Sequence, residues 1–241
     1  MTIRTTLITI GLIAASLATV LVSGAAHAAL EGRDLNGSIG SFEAYYDTDL
    51  DITWLANGNV NGLMNWADAN TWAANLSFTD GSNVYDNWRL PVTLQPDATC
   101  DSNFEGGYGF GCTGSEMGHL FHAELGGTIG NPLLSHLDPN SNGEVAKFAD
   151  ANGLFWAASY WSSTDSSYSD EYIPAGSLAW HFGLFGSGYQ GLDSKDNNYN
   201  YLALAVSSGD VGIAAVPEAD TWAMLLAGLG LVGAAARRRR G

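Results

Sequence analysis

Carboxylates and imidazoles at short spacing are the groups in this sequence best suited to hold a cation. Asp47-x-Asp49-x-Asp51 sets three carboxylates two residues apart, as the opening of a calcium loop does. Ile52 stands where an EF-hand needs its glycine, and Gly58 where it needs a bidentate glutamate. The stretch is therefore not an EF-hand, and two readings stay open: a Ca2+ site of another kind on Asp47, Asp49 and Asp51, or turn carboxylates ahead of a strand. His119 and His122, one helical turn apart and close to Glu116, have a spacing that metal ligands use. On the predicted helix all three fall away from the Met117, Leu120 and Phe121 stripe, which predicts a solvated polar face.

Covalent and redox chemistry have fewer carriers. The two cysteines, Cys100 and Cys112, enclose a Gly-rich aromatic stretch. An even count in an exported segment predicts a disulfide, and the spacing is not the Cys-x-x-Cys of a redox or metal pair. Closing that loop would contribute about 3 kcal/mol by restricting the unfolded chain. Gly-x-Ser-x-Gly, His-Glu-x-x-His and phosphate-loop patterns do not occur. Abundant carboxylates in an acidic chain do not identify a general acid and base, so no catalytic residue is assigned.

Charge narrows the partners. Between residues 29 and 216 lie 23 of the 25 acidic residues against Arg33, Arg89, Lys147 and Lys195, a balance of −19. Such a surface repels nucleic acid, and direct DNA or RNA binding is not expected. The same acidity keeps a lysine-poor exported protein soluble.

Both ends read as addresses. Arg4, an apolar run from Leu7 to Val22 and Ala26-His27-Ala28 have the order of a secretory signal peptide over residues 1–28, cleaved after Ala28. At the other end, Val216-Pro217-Glu218 is followed by an uncharged run from Thr221 to Ala236 and then by Arg237, Arg238, Arg239 and Arg240. As helix, that run covers about 24 Å of a ~30 Å hydrocarbon core, so Trp222 and the arginines must anchor it. The arginines favour the cytoplasmic side and place the body across the inner membrane from them.

This tail, residues 216–241, resembles the PEP-CTERM sorting signal of Gram-negative bacteria, with Ala219 where the second proline of the motif usually stands. The resemblance implies an exosortase as partner. It also implies an inner-membrane stage through the transmembrane helix, cleavage near the motif, delivery to the cell surface or extracellular matrix, and association with exopolysaccharide.

Between the ends, Gly, Asn, Asp and Ser punctuate short apolar stretches, the composition of a loop-rich α+β domain. Ser41 to Tyr46 and Asp51 to Leu55 are predicted strands. Asn65 is the expected cap of a helix running to about Leu76, with Ala69, Trp72, Ala73 and Leu76 on its core face. Thr113-x-x-Glu116 has the form of a capping box for a second helix. Leu178 to Leu184 alternates as a strand with one heavily apolar face, Gly186-Ser187-Gly188 turns a hairpin toward Tyr189 and Leu192, and Tyr199 to Val206 is the last strand.

Six segments then occur in one order: Asp51 to Leu55, Trp72 to Leu76, Asn87-Trp88-Arg89-Leu90-Pro91, Ser115 to Met117, Tyr160-Trp161-Ser162-Ser163-Thr164, and Ala179-Trp180. The series resembles the DUF1566 family, also called the Lcl C-terminal domain, over about residues 43–210, with 29–42 as a lead-in. That family is similar to the C-type lectin-like and formylglycine-generating-enzyme fold, which implies antiparallel strands, two helices and long loops. Trp54, Trp88, Arg89, Pro91, Trp161 and Trp180 would be its structural signature, with Arg89 serving backbone carbonyls or a carboxylate inside the fold. Gln95-Pro96-Asp97 matches the sugar-binding tripeptide of Ca2+-dependent lectins, but it follows the Asn-Trp-Arg-Leu-Pro segment directly, and no Trp-Asn-Asp completes the cage. The function implied is a non-catalytic, lectin-like surface protein contacting polysaccharide or other surface partners through Tyr168, Tyr172, Trp180 and Tyr189. The rival is a glycan-processing hydrolase or a divergent oxidase.

Overall fold

Runs of two to seven residues, broken by Asp, Asn and Gly, keep the strands brief. The computed structural model describes residues 30–38, 41–57, 62–129, 147–148, 159–184, 188–196 and 201–214; the N-terminal signal, Gly58, the Gly186-Ser187 turn, Tyr199 and the tail from residue 215 lie outside them. β1 (Glu31–Asp34), β2 (Ala44–Asp47), β3 (Ile52–Leu55), β6 (Trp88–Arg89), β10 (Val206–Ser208) and β11 (Ile213–Ala214) form an antiparallel sheet in the order β11-β1-β2-β3-β10-β6. β4 (Phe78–Thr79) and β5 (Val84–Tyr85) pair as a ribbon, and β7 (Ser159–Asp165), β8 (Leu178–Gly183) and β9 (Tyr189–Ser194) make a second antiparallel sheet. Two short helices, α1 (Trp66–Ala74) and α2 (Glu116–His119), complete an α+β arrangement. Among the described residues no helix is long and apolar enough to cross a membrane.

The chain from Leu202 to Val206 divides the core. Leu202, Leu204 and Val206 join Ile52, Trp54, Tyr160, Phe182 and the apolar side of α2 in one cluster. Ala203 and Ala205 face the other way, into a cluster with Leu35, Leu55, Trp88, Leu90, Trp161 and the Ala69 and Ala73 face of α1. Period-two alternation thus sends large side chains to one layer and alanines to the other, where a helix also presents alanines. The last strand is shorter than expected from Tyr199. Tyr201 and Leu202 make single bridges, to Met64 and Tyr160, and ladder pairing begins only at Val206.

Asn65 caps α1 as predicted, its side chain accepting the Asp68 amide at 2.9 Å. The second helix departs from its predicted cap. Ser115, not Thr113, is the N-cap, and its hydroxyl accepts from the Leu94 amide at 3.0 Å instead of capping. Glu116 does not reach back to Thr113; it takes both Arg89 guanidinium nitrogens at 2.7 Å and the Val92 amide at 2.7 Å. The physical reason is the backbone of residues 91–94, which leaves β6 without a ladder partner and must be satisfied by side chains. Ser162 and Thr164 hydroxyls accept from the Thr93 amide, and the Pro91 carbonyl accepts from the Ser163 amide at 2.8 Å and the Ser162 hydroxyl at 3.0 Å. The Asn-Trp-Arg-Leu-Pro, Ser-Glu-Met and Tyr-Trp-Ser-Ser-Thr segments therefore meet in one hydrogen-bonded joint.

Removing the Glu116 carboxylate would leave a guanidinium and an amide unpartnered together. Glu116→Ala should lower unfolding stability by about 2–3 kcal/mol in urea titrations followed by tryptophan fluorescence, and Glu116→Gln by roughly half as much, because the Val92 bond survives.

Candidate functional site

The loop closed by the Cys100–Cys112 disulfide carries most of the aromatic surface of the second sheet. Its base is held by Asp97, a buried carboxylate that accepts from the Thr99 amide and hydroxyl, the Gly114 amide and the Ser115 hydroxyl. Its tip is pinned to the edge of the β7-β8-β9 sheet: the amides and carbonyls of Gly109 and Gln190 exchange hydrogen bonds at 2.9 and 2.8 Å, and the buried Gln190 amide nitrogen donates to the Gly107 carbonyl. Gly109 is required here, since it sits at φ 109° and a Cβ would strike the Asp101 carboxylate.

That attachment lines up rings from separate segments. Tyr168 packs on Phe104 with centroids 5.3 Å apart, Phe104 on Tyr108 at 5.4 Å, Tyr108 on Tyr189 at 5.4 Å and Phe110 on Tyr189 at 5.2 Å. Phe104 is 45 % exposed, and the other four rings are half-buried. Burial, then its side-chain hydrogen bond to Tyr108, pushes the Tyr189 phenol above its ordinary value. The Tyr168 hydroxyl donates to Asp170 at 2.8 Å, which holds that exposed carboxyl below the usual range. Asp170 bonds the Tyr168 hydroxyl, and the charges of Asp101 and Glu105 act on Tyr189 and Tyr168, so carboxylates flank the rings.

The sequence placed Tyr168 and Tyr189 here but missed Phe104, Tyr108 and Phe110, although three rings inside one cysteine-closed loop were a readable signal. Tyr172 is 85 % exposed and stands apart from the row. Trp180 is corrected: it is 0 % exposed, on the same apolar face as the buried Phe182 of β8 and Leu184 just after it. Trp54, Trp88 and Trp161 are core residues whose indole nitrogens donate to Asp47, the Tyr85 carbonyl and the Met64 carbonyl. In Gln95-Pro96-Asp97, Gln95 is exposed while Asp97 is buried and committed to its own loop, so the tripeptide does not present two ligand oxygens together.

The acidic and imidazole groups also regroup. Asp47 is 0 % exposed, whereas Asp49 and Asp51 lie at the surface, with Asp51 at φ 52° accepting from the Tyr46 hydroxyl. The three aspartates do not converge, because β2 ends at Asp47 and turns its side chain into the core. The expected solvated face of Glu116, His119 and His122 is likewise overturned. Glu116 serves Arg89, His122 Nδ1 lies 3.0 Å from the Gly127 carbonyl, and His119 points inward to Asp47 and Glu124. Asp47, His119 and Glu124 are the group among the described residues whose ligand atoms lie within 4.8 Å of one another.

A separate apolar groove of about 430 Å³ runs along α1 between Phe42, Leu55, Trp72, Leu76 and Phe78. Its two charged residues have structural partners: Glu43 accepts from the Leu35 amide and the Ser41 hydroxyl, and Lys147 donates to the Leu30 carbonyl.

Behind the ring row, His181 stacks on Tyr201 with centroids 4.5 Å apart, and the Tyr201 hydroxyl donates to Asp193 at 2.6 Å. Burial, opposed in part by the Asp193 charge, lowers the His181 imidazole to about 4.

Residues 215–240 match the PEP-CTERM protein-sorting motif, the signal for exosortase-dependent sorting to the surface. Curated proteins and solved structures contain no match to the chain.

The buried imidazole gives the fold an acid-side dependence. Unfolded His181 takes up a proton below about 6.5, the folded residue only below about 4, so its contribution is whole above 6.5 and declines as pH falls toward 4. One proton sets a slope of up to ~1.4 kcal/mol per pH unit. His181→Phe should flatten the fall in Tm between pH 6.5 and 4.5 as measured by calorimetry; an unchanged slope would assign the dependence to carboxylates.

Proposed function

We propose that the chain is the precursor of a surface or matrix protein whose body, residues 29 to about 216, is a non-catalytic lectin-like domain contacting neutral sugar rings of exopolysaccharide. The observation that carries this reading is the coexistence of the sorting motif at residues 215–240 with a row of rings on a disulfide-tethered loop. Before processing, the apolar stretch and the arginines of the tail hold the body at the inner membrane, and the exosortase releases it to the surface.

Several features support the contact surface. Aromatic faces stack on the C–H faces of sugar rings; Phe104 offers a face alone, and Tyr108, Tyr168 and Tyr189 add phenol oxygens at their edges. The flanking carboxylates oppose an acidic polymer and leave neutral glycans as the class that fits. The DUF1566 resemblance gains support from the joint at Pro91, where its most specific segments bind one another. In this reading Trp54, Trp88, Arg89, Pro91, Trp161 and Trp180 build the scaffold, and the exposed rings do the binding.

Glycan arrays probed with purified residues 29–216, with and without chelator, test the contact. Saturable binding to neutral polysaccharide is expected, and Phe104→Ala or Tyr168→Ala should weaken it about 3- to 10-fold with little change in Tm. Absence of binding in both conditions would overturn the glycan contact, and turnover of a chromogenic glycan would overturn the non-catalytic assignment. Sorting is tested separately: Pro217→Ala combined with Glu218→Ala should leave the unprocessed chain in the membrane fraction on immunoblots, whereas normal maturation would remove the exosortase step.

A further inference from the structure

We propose that Asp47, His119 and Glu124 bind one divalent first-row transition-metal ion of the Zn2+ class, which ties the end of β2 to the helical segment after α2. This site is independent of the aromatic face and of the glycan reading.

The donors are assembled by distinct local devices. The Asp47 Oδ1 accepts from the Asp49 and Leu50 amides, both at 3.0 Å, which fixes the carboxylate. Its Oδ2 is oriented by the Trp54 indole N–H at 3.3 Å and lies 3.7 Å from His119 Nε2. His119 Nε2 lies 3.3 Å from Glu124 Oε1. On a continuous α-helix Glu124, five residues after His119, would point about 140° away from it. The chain instead makes a π turn over Leu120–Glu124, with the Leu125 amide donating to the Leu120 carbonyl, and i→i+5 bonding brings the fifth residue back over the first.

The donors are also buried. Asp47 is 0 % and Glu124 1 % exposed, beside a core cluster that includes Trp54, Met117, Leu120 and Phe121. His119 Nε2 is a buried atom that makes no hydrogen bond although carboxylate oxygens lie 3.3 and 3.7 Å from it. A metal lone-pair acceptor suits this geometry better than a proton does. Bonds of ~2.0–2.1 Å at the tetrahedral angle separate ligand atoms by about 3.3 Å, close to the 3.3 and 3.7 Å found between His119 and the two carboxylates.

The donor set selects the ion. One imidazole with two carboxylates suits Zn2+ or Mn2+, whereas Ca2+ and Mg2+ favour oxygen alone. Both cysteines are joined to each other, so no thiolate competes. His119 is 18 % exposed, giving an approach from solvent, and three protein donors leave a coordination position for water.

The test uses the full chain purified in mild detergent, stripped with chelator and desalted. One equivalent of Zn2+ should be retained by elemental analysis, with Tm raised by about 5 °C at a hundredfold excess over Kd and no comparable rise with Ca2+. Co2+ should give visible d–d bands of tetrahedral intensity. His119→Asn and Glu124→Gln should lose the retained ion and the bands while Asp49→Asn keeps both, with near-UV circular dichroism confirming that each variant is folded. Sub-stoichiometric retention, or full retention in folded His119→Asn, overturns the site. If neither ligand variant folds, the Co2+ spectrum of the unaltered chain decides, and absence of d–d bands is fatal to the proposal.

Discussion

The structure depends on how the backbone of residues 91–94 is satisfied once it leaves the sheet. Peptide groups in a half-buried, non-repeating segment need partners, and here they come from side chains of distant segments rather than from a strand. Glu116 answers Val92, Ser115 answers Leu94, and Ser162 with Thr164 answers Thr93. These bonds fix α2 against β6 and β7 against both, which in turn fixes where the disulfide loop begins. The ring row is carried by that loop, and His119 and Glu124 follow α2, so both take their position from the joint.

Among the described residues the scarcity of cations makes each one structural. Arg33 is buried and bonded to Asp210 and Glu31, Arg89 holds Glu116, Lys195 pairs with Asp165 while lying over the Trp66 ring, and Lys147 caps the Leu30 carbonyl beside Tyr45. An acidic chain has carboxylates to spare at its surface. Its few guanidinium and ammonium groups sit where segments far apart in sequence must be joined, and that placement, more than the net charge, shapes the fold.

Much of this was legible wherever a local rule had no tertiary competitor. Asn65 capped its helix, Ala69 and Ala73 faced the core, Cys100 met Cys112, and Leu178 to Gly183 formed a strand. Reading failed where a distant segment outbid the local one. Thr113 lost its capping partner because Arg89 and Val92 claimed Glu116. His119 was placed on a polar face because periodicity assumed an uninterrupted α-helix, and the π turn altered which residues share a side. Trp180 was offered to solvent although alternation set it beside Phe182 and Leu184 on the apolar face of its strand, and that face is buried. Asp49 and Asp51 were grouped with Asp47 by spacing, while the end of β2 separated them.

The pairing of β1 with β11 sets Arg33 opposite Ala214 and Asp34 opposite Ile213, so the body opens and closes on neighbouring strands. Ala214 immediately precedes the sorting motif, and Glu31 lies three residues after the expected signal-peptide cut. For a polypeptide threaded across a bilayer from its amino end, the outermost strand of the larger sheet is thus the last to arrive. Asp210, which neutralises the interior guanidinium of β1, arrives only just before it. Until then Arg33 has only Glu31 of its own strand as a carboxylate partner, so the margin of the larger sheet closes with the last residues of the body.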